Sequence, residues 1–179
     1  MRRRIVAAVL ALCLLLGGCA GRRIRAEDLD FTFDCIVDVS APAGNLKCSF
    51  RRTGAQNATV RVLEGGPQGL SFCWSGGGFS QTYLGLAAEH ETCVLPRDSF
   101  AAVLVETLDG AEKRGALTGT RDNEFSGKAV YDFTLTADPE TGKILTLSVP
   151  ECGFRAEFRA AARQTVETET AADIGTVPD

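Results

Sequence analysis

Residues that carry chemistry are scarce in this chain. His90 is the one histidine among 179 residues, held in AEHET between Glu89 and Glu91. A lone imidazole acts as a base only with a nucleophile or a substrate proton in hydrogen-bond reach, and no serine stands in a G-x-S-x-G elbow. CWSGGGF comes nearest, and its three consecutive glycines read as a hairpin turn. No C-x-x-C pair or Cys/His cluster with zinc spacing occurs, so no metal site is expected. DPETGK lacks the alternating acids of a calcium loop and the Ser or Thr of a phosphate loop. Glu64, Glu89, Glu91, Asp98 and Glu106 offer carboxylates without marking out an acid–base pair. The sequence thus predicts no enzyme and no cofactor, and His90 reads as a solvated loop residue.

Long apolar runs are also missing. Ile5 to Leu16 is unbroken by a polar residue, but a helix of about 12 residues covers about 18 Å, short of a hydrocarbon core of about 30 Å. Arg2, Arg3 and Arg4 precede the run and Leu16-Gly17-Gly18-Cys19 follows it. Basic head, apolar middle and small residues make a secretory signal. The last four residues resemble the lipobox of bacterial lipoproteins. That resemblance implies a diacylglycerol on the Cys19 thiol, cleavage just before it, and anchoring at the extracytoplasmic face of a bacterial membrane. Two or more chains, at about 0.8 kcal/mol per buried CH2, hold where one does not. Cys13 follows the bulky Leu12 and fits less well, and an ordinary secreted chain cut after Gly18 is the alternative. The expected organisation is a signal peptide over residues 1–18 and an anchor with a short polar tether over 19–28. A single β domain over 29–161 and a flexible acidic tail over 162–179 complete it.

Positive charge is in short supply. Losing residues 1–18 removes three arginines and no acid, so a net charge of −4 becomes −7. An acidic surface argues against nucleic acid and against a basic patch on lipid headgroups. Cys35, Cys48, Cys73, Cys93 and Cys152 remain besides Cys19, an odd set of five. Cys35–Cys48 and Cys73–Cys93 are the candidate disulfides. Each of these thiols equally suits a small buried hydrophobe.

What the chain does have is alternation. Phe31, Phe33, Cys35, Val37 and Val39 share one face, with Thr32, Asp34 and Asp38 on the other, the period of a half-buried strand. APAGN turns the chain, and Leu46, Cys48 and Phe50 alternate with Lys47, Ser49 and Arg51. Val60 and Val62 mark a third strand and LSFCWS a fourth. FSQTYLGLAAE follows, then a short strand at Glu91–Leu95. Later, EFSGKAVYDFTLTA, ILTLSVP and CGFRAEFRA continue the pattern, with Gly142 supplying a positive φ in the DPETGK loop. One helix interrupts: Phe100, Val103, Leu104, Thr107 and Leu108 form a stripe, with Asp98 or Ser99 as cap and Gly110 as terminator. About ten strands joined by short turns predict a mainly β, antiparallel sheet that must curl or close to hide its apolar face.

The order GPQGLSF-W, GGGFSQTYLGL, LP-DSF…L-ETLDG and FSGKAVYDFTLTADPETGKILTLSVPE resembles small lipoproteins of Gram-positive bacteria. These in turn resemble the periplasmic lipoprotein-carrier superfamily, the LolA-like fold. The resemblance implies a curved, unclosed half-barrel lidded by a helix near residues 98–110, with a hollow that can hold acyl chains. The residues expected to line it are Phe33, Val37, Phe50, Val62, Trp74, Phe133, Leu135, Leu147 and Phe154. The resulting expectation is a non-enzymatic lipoprotein binding an acyl chain or another hydrophobic ligand. The alternative is a module that docks a cell-envelope enzyme, such as a peptidoglycan amidase, without a ligand.

Overall fold

The computed structural model describes residues 23–160. The signal segment, Cys19 and the tail lie outside the described residues. Eleven strands form one sheet: β1 (Phe33–Ala41), β2 (Gly44–Gly54), β3 (Asn57–Glu64), β4 (Ser71–Ser75), β5 (Gly78–Tyr83), β6 (Leu86–His90), β7 (Leu117–Arg121), β8 (Glu124–Lys128), β9 (Asp132–Ala137), β10 (Ile144–Val149) and β11 (Phe154–Ala160). A single helix, α1 (Phe100–Ala111), joins β6 to β7.

The strand order is β6-β5-β4-β3-β2-β1-β11-β10-β9-β8-β7, with antiparallel neighbours throughout. The chain starts at the centre of the sheet, winds out to one edge, crosses on α1 and winds back. β6 and β7 do not pair with each other, so the barrel stays open.

The alternating sets explain which face turns inward. Phe33, Val37 and Val39 are buried, and opposite them Cys48 and Phe50 face the same way. Phe33 lies 4.7 Å from Phe158 and 5.1 Å from Phe50 between ring centroids, which ties β1, β2 and β11 at the centre. Against this face lies α1, largely buried: Ala101, Ala102, Val103, Leu104, Val105, Thr107, Leu108, Gly110 and Ala111 are all buried, and Phe100, Glu106 and Asp109 are half-buried. A helix buried over most of its circumference is a core helix, and a sheet bent around it supplies that cover. The expected mainly β fold, with an unclosed antiparallel sheet and one helix, is what forms.

Several local expectations are corrected. Residues 91–95 are not a strand, and FSQTYLGLAAE is a hairpin that turns at Leu84 and Gly85. β7 is an additional strand, closed onto β8 by Asp122 and Asn123, both at positive φ. Gly110 does not end the helix in a left-handed conformation. It lies inside α1, where a Cβ would come within 2.5 Å of the Ala129 Cβ, so its missing side chain lets the helix approach the β8–β9 loop. Ser99 does cap the start, accepting from the Ala102 N–H at 3.4 Å, and Gly142 does take φ 73°. The chain is fastened to the domain well before the expected end of its tether. Ile24 N–H donates to Asn123 Oδ1 at 3.0 Å and its side chain packs on the core.

Candidate functional site

The charged side chain of the interior, among the described residues, is Arg52, on β2 and fully buried. It continues the inward parity of Leu46, Cys48 and Phe50, so its guanidinium enters the space beneath α1. There Nη2 donates to Asp109 Oδ1 at 2.8 Å and to Glu112 Oε2 at 2.7 Å, while Nη1 donates to the Phe31 carbonyl at 2.7 Å. Asp109 Oδ2 also accepts from the Gln56 N–H at 3.0 Å. A buried cation persists when paired and hydrogen-bonded, and this one joins β2, the segment before β1 and the last turn of α1.

Beside this cluster opens a groove of about 1010 Å3. Ala26, Leu29, Phe31, Ala111 and Leu117 give it an apolar floor, and Arg25, Lys113 and Arg114 stand at its rim. The acids there are occupied: Glu27 by Arg25, Asp30 by the Thr32 N–H and hydroxyl, and Glu112 by Arg52. Among the described residues Lys113 and Arg114 form no ion pair.

The nine residues expected to line a hollow, Phe33, Val37, Phe50, Val62, Trp74, Phe133, Leu135, Leu147 and Phe154, are all buried in one contiguous cluster with α1. The helix therefore occupies the concave side on which they converge. Two of the nine also border surface cavities: Trp74 one of about 240 Å3, with Cys93, Val105, Glu106 and Asp109, and Phe133 one of about 440 Å3, with Gly127 and Pro150. Burial pushes the Glu106 carboxyl up; nearby Arg97 opposes the rise and Asp109 adds to it.

Neither candidate disulfide forms: all five thiols of the described residues are free. Cys35 stands opposite Phe50 and Cys48 opposite Val37, so the two are diagonal across β1 and β2 and their Cα atoms exceed bridging distance. Cys73 and Trp74 point to opposite faces of β4, and Cys93 lies on the Trp74 side. The sheet therefore separates Cys73 from Cys93. Burial, reinforced by Asp34, pushes the Cys35 thiol up to about 12, and burial with Asp38 pushes Cys48 up to about 11. Both stay protonated, and a thiol is a poor nucleophile.

His90 ends strand β6 rather than lying in a loop, exposed and stacked on Phe79 at 6.4 Å between centroids. Among the described residues no three His, Cys, Asp or Glu side chains are placed to hold a metal, and no helix is long and apolar enough to cross a membrane. Sequence reasoning missed Arg52 and the groove. For Arg52 the signal was available in its even spacing from Leu46, Cys48 and Phe50. The groove joins residues 25–32 to 111–117, and no local pattern announces that meeting.

These features define an open antiparallel sheet wrapped around one helix, with an amphipathic groove at the helix end. No family model and no curated protein matches the chain. A solved structure of a LolA superfamily protein from Nitrosomonas europaea is similar, at 13% identity and TM-score 0.35, over 76% of this chain and 69% of that one.

Proposed function

We propose that this protein is a non-enzymatic lipoprotein, anchored through Cys19 at the extracytoplasmic face of a bacterial membrane, that binds an acyl chain or another hydrophobic ligand. The groove at the end of α1 carries the reading. A hydrophobic ligand needs an apolar floor and a few polar groups to orient it. Leu29, Phe31, Ala111 and Leu117 supply the floor, and Lys113 and Arg114 the orienting groups. Phe31 belongs to the same core cluster as Phe33 and Phe50, so a chain lying in the groove packs on the margin of that core. Residues 25 to 32, which line the groove, follow Cys19 closely in the sequence, which supports an entrance facing the bilayer.

Native mass spectrometry of residues 20–179, followed by organic extraction, tests the ligand. Stoichiometric lipid is expected, and Leu29→Glu with Leu117→Glu should remove it while the circular dichroism spectrum is unchanged. A folded, empty domain would sink the proposal. Palmitate labelling in cells tests the anchor: the native chain should take up label and Cys19→Ser should not.

A further inference from the structure

An open sheet has two edges, and here they differ. β7 is irregular, with a register shift between Gly119 and Arg121. The N-terminal segment flanks it: Arg23 and Ile24 share a cleft with Gly119 to Phe125. β6 has neither protection. Its five pairs with β5 run without a shift from Tyr83–Leu86 to Phe79–His90. Lysine, proline and bulges are among the devices that blunt free edges; LAAEH has none of these, and its protection is limited to its five-residue length and the charge of Glu89.

The turn fixes which groups the edge presents. Leu84 and Gly85 have φ of 50° and 82°, a two-residue hairpin loop of the kind that matches strand twist. Such a loop makes Tyr83–Leu86 a hydrogen-bonded pair, and bonded pairs alternate along an antiparallel ladder. Ala87 and Glu89 therefore turn their N–H and C=O groups away from β5. Among the described residues no backbone group bonds them. Leu86 and Ala88 share the face of Phe79, whereas Ala87 and Glu89 share the face of Ser80 and Thr82. At the tip Leu84 and Leu86 are 80% and 75% exposed.

We propose that β6 is a docking edge for an extended segment of another protein, which adds a twelfth strand. The open main-chain groups at Ala87 and Glu89 call for a strand, which a bilayer does not supply. Charge selects its chemistry. Opposite charges across neighbouring strands attract and like charges repel, so a segment with lysine or arginine beside Glu89 and Glu91, and apolar residues beside Leu86 and Ala88, is favoured. A second copy of this chain is disfavoured by the same rule. Self-pairing with Ala87 opposite Glu89 sets two Glu89 carboxylates diagonally on one face, between two acidic molecules. The surface is separate from the ligand groove and stands without it.

The probe is a ten-residue peptide alternating valine and lysine, blocked at both ends, added to the full-length chain in detergent micelles. Binding is expected below about 1 mM, with slowed amide exchange at Ala87 and Glu89. Ala87→Pro removes a solvent-facing N–H, which an edge strand tolerates. It should weaken binding at least about tenfold with melting unchanged. Should that variant fail to fold, a peptide methylated on the amides facing β6 makes the same test with the protein intact, and it should not bind. Glu89→Lys should instead favour a second blocked peptide of the same length that alternates valine and glutamate. No binding at about 1 mM, equal binding by the methylated peptide, or equal binding of both charge patterns to the native chain would overturn the proposal. So would protection of Ala87 and Glu89 that rises with protein concentration alone, which would make the occupant a second copy.

Discussion

The two ends of α1 are held by different means. At the C-terminal end the fully buried Arg52 bonds Asp109, Glu112 and the Phe31 carbonyl, and Gly110 lets the backbone close on Ala129. The N-terminal end has a Ser99 cap and an edge-on contact between Phe100 and Phe72 at 5.9 Å. Both ends bury apolar surface, so the hydrophobic effect does not distinguish them. Directional polar bonds do. A buried ion pair is costly to break from one side, whereas a cap is worth about 1 kcal/mol. The C-terminal end, beside the groove, is therefore the fixed point, and the helix is freer to lift from its start.

Arg52→Ala should break this contrast with the largest effect. Removing one member of a buried pair costs about 3–5 kcal/mol. The lower end applies, because the Asp109 and Glu112 side chains are 19% and 38% exposed and can regain water. Urea unfolding should show a loss of about 3 kcal/mol, and amide exchange should accelerate first over Leu108 to Ala111. A loss below about 1 kcal/mol, the worth of a surface ion pair, would mean that the cluster does not hold the helix.

How much of this was legible in the sequence follows from the range of each interaction. Period-two alternation is local, and it placed β1 to β4 and β9 to β11 with their inward residues. The helix stripe and the Ser99 cap are local as well. β7 was missed because LTGTR has few apolar residues and lies at an edge, where only its pairing with β8 identifies it. The nine concave residues were recognisable as an inward set, but their packing around α1 depends on where a helix that begins 46 residues after the end of β2 (Gly54 to Phe100) comes to rest. The same distance hides Arg52: its parity says inward, and its partners are 57 and 60 residues downstream. Gly110 looked like a helix stop because glycine often ends helices, and its close approach to Ala129 is a tertiary fact.

Ser99→Ala sharpens the comparison from the other end. It should cost about 1 kcal/mol, with faster exchange confined to Ala101 through Val103. A loss as large as that of Arg52→Ala would abolish the asymmetry.

The smallest effect, and the most diagnostic by its pH dependence, belongs to Glu106, one turn before the fixed end. Its carboxyl is raised in the fold, chiefly by burial and in part by Asp109, against the pull of Arg97. The folded state then holds its proton at pH values where the unfolded chain has released it. Stability must fall as pH rises above the unfolded value of about 4.3, until the folded carboxyl has ionised too. Glu106→Gln removes the charge without removing the shape. It should raise the melting temperature at pH 7, and the gain should vanish below about pH 4, where the native carboxyl is protonated in both states. A gain that persists in acid would locate the effect in packing, and a loss at pH 7 would mean that Arg97 outweighs burial.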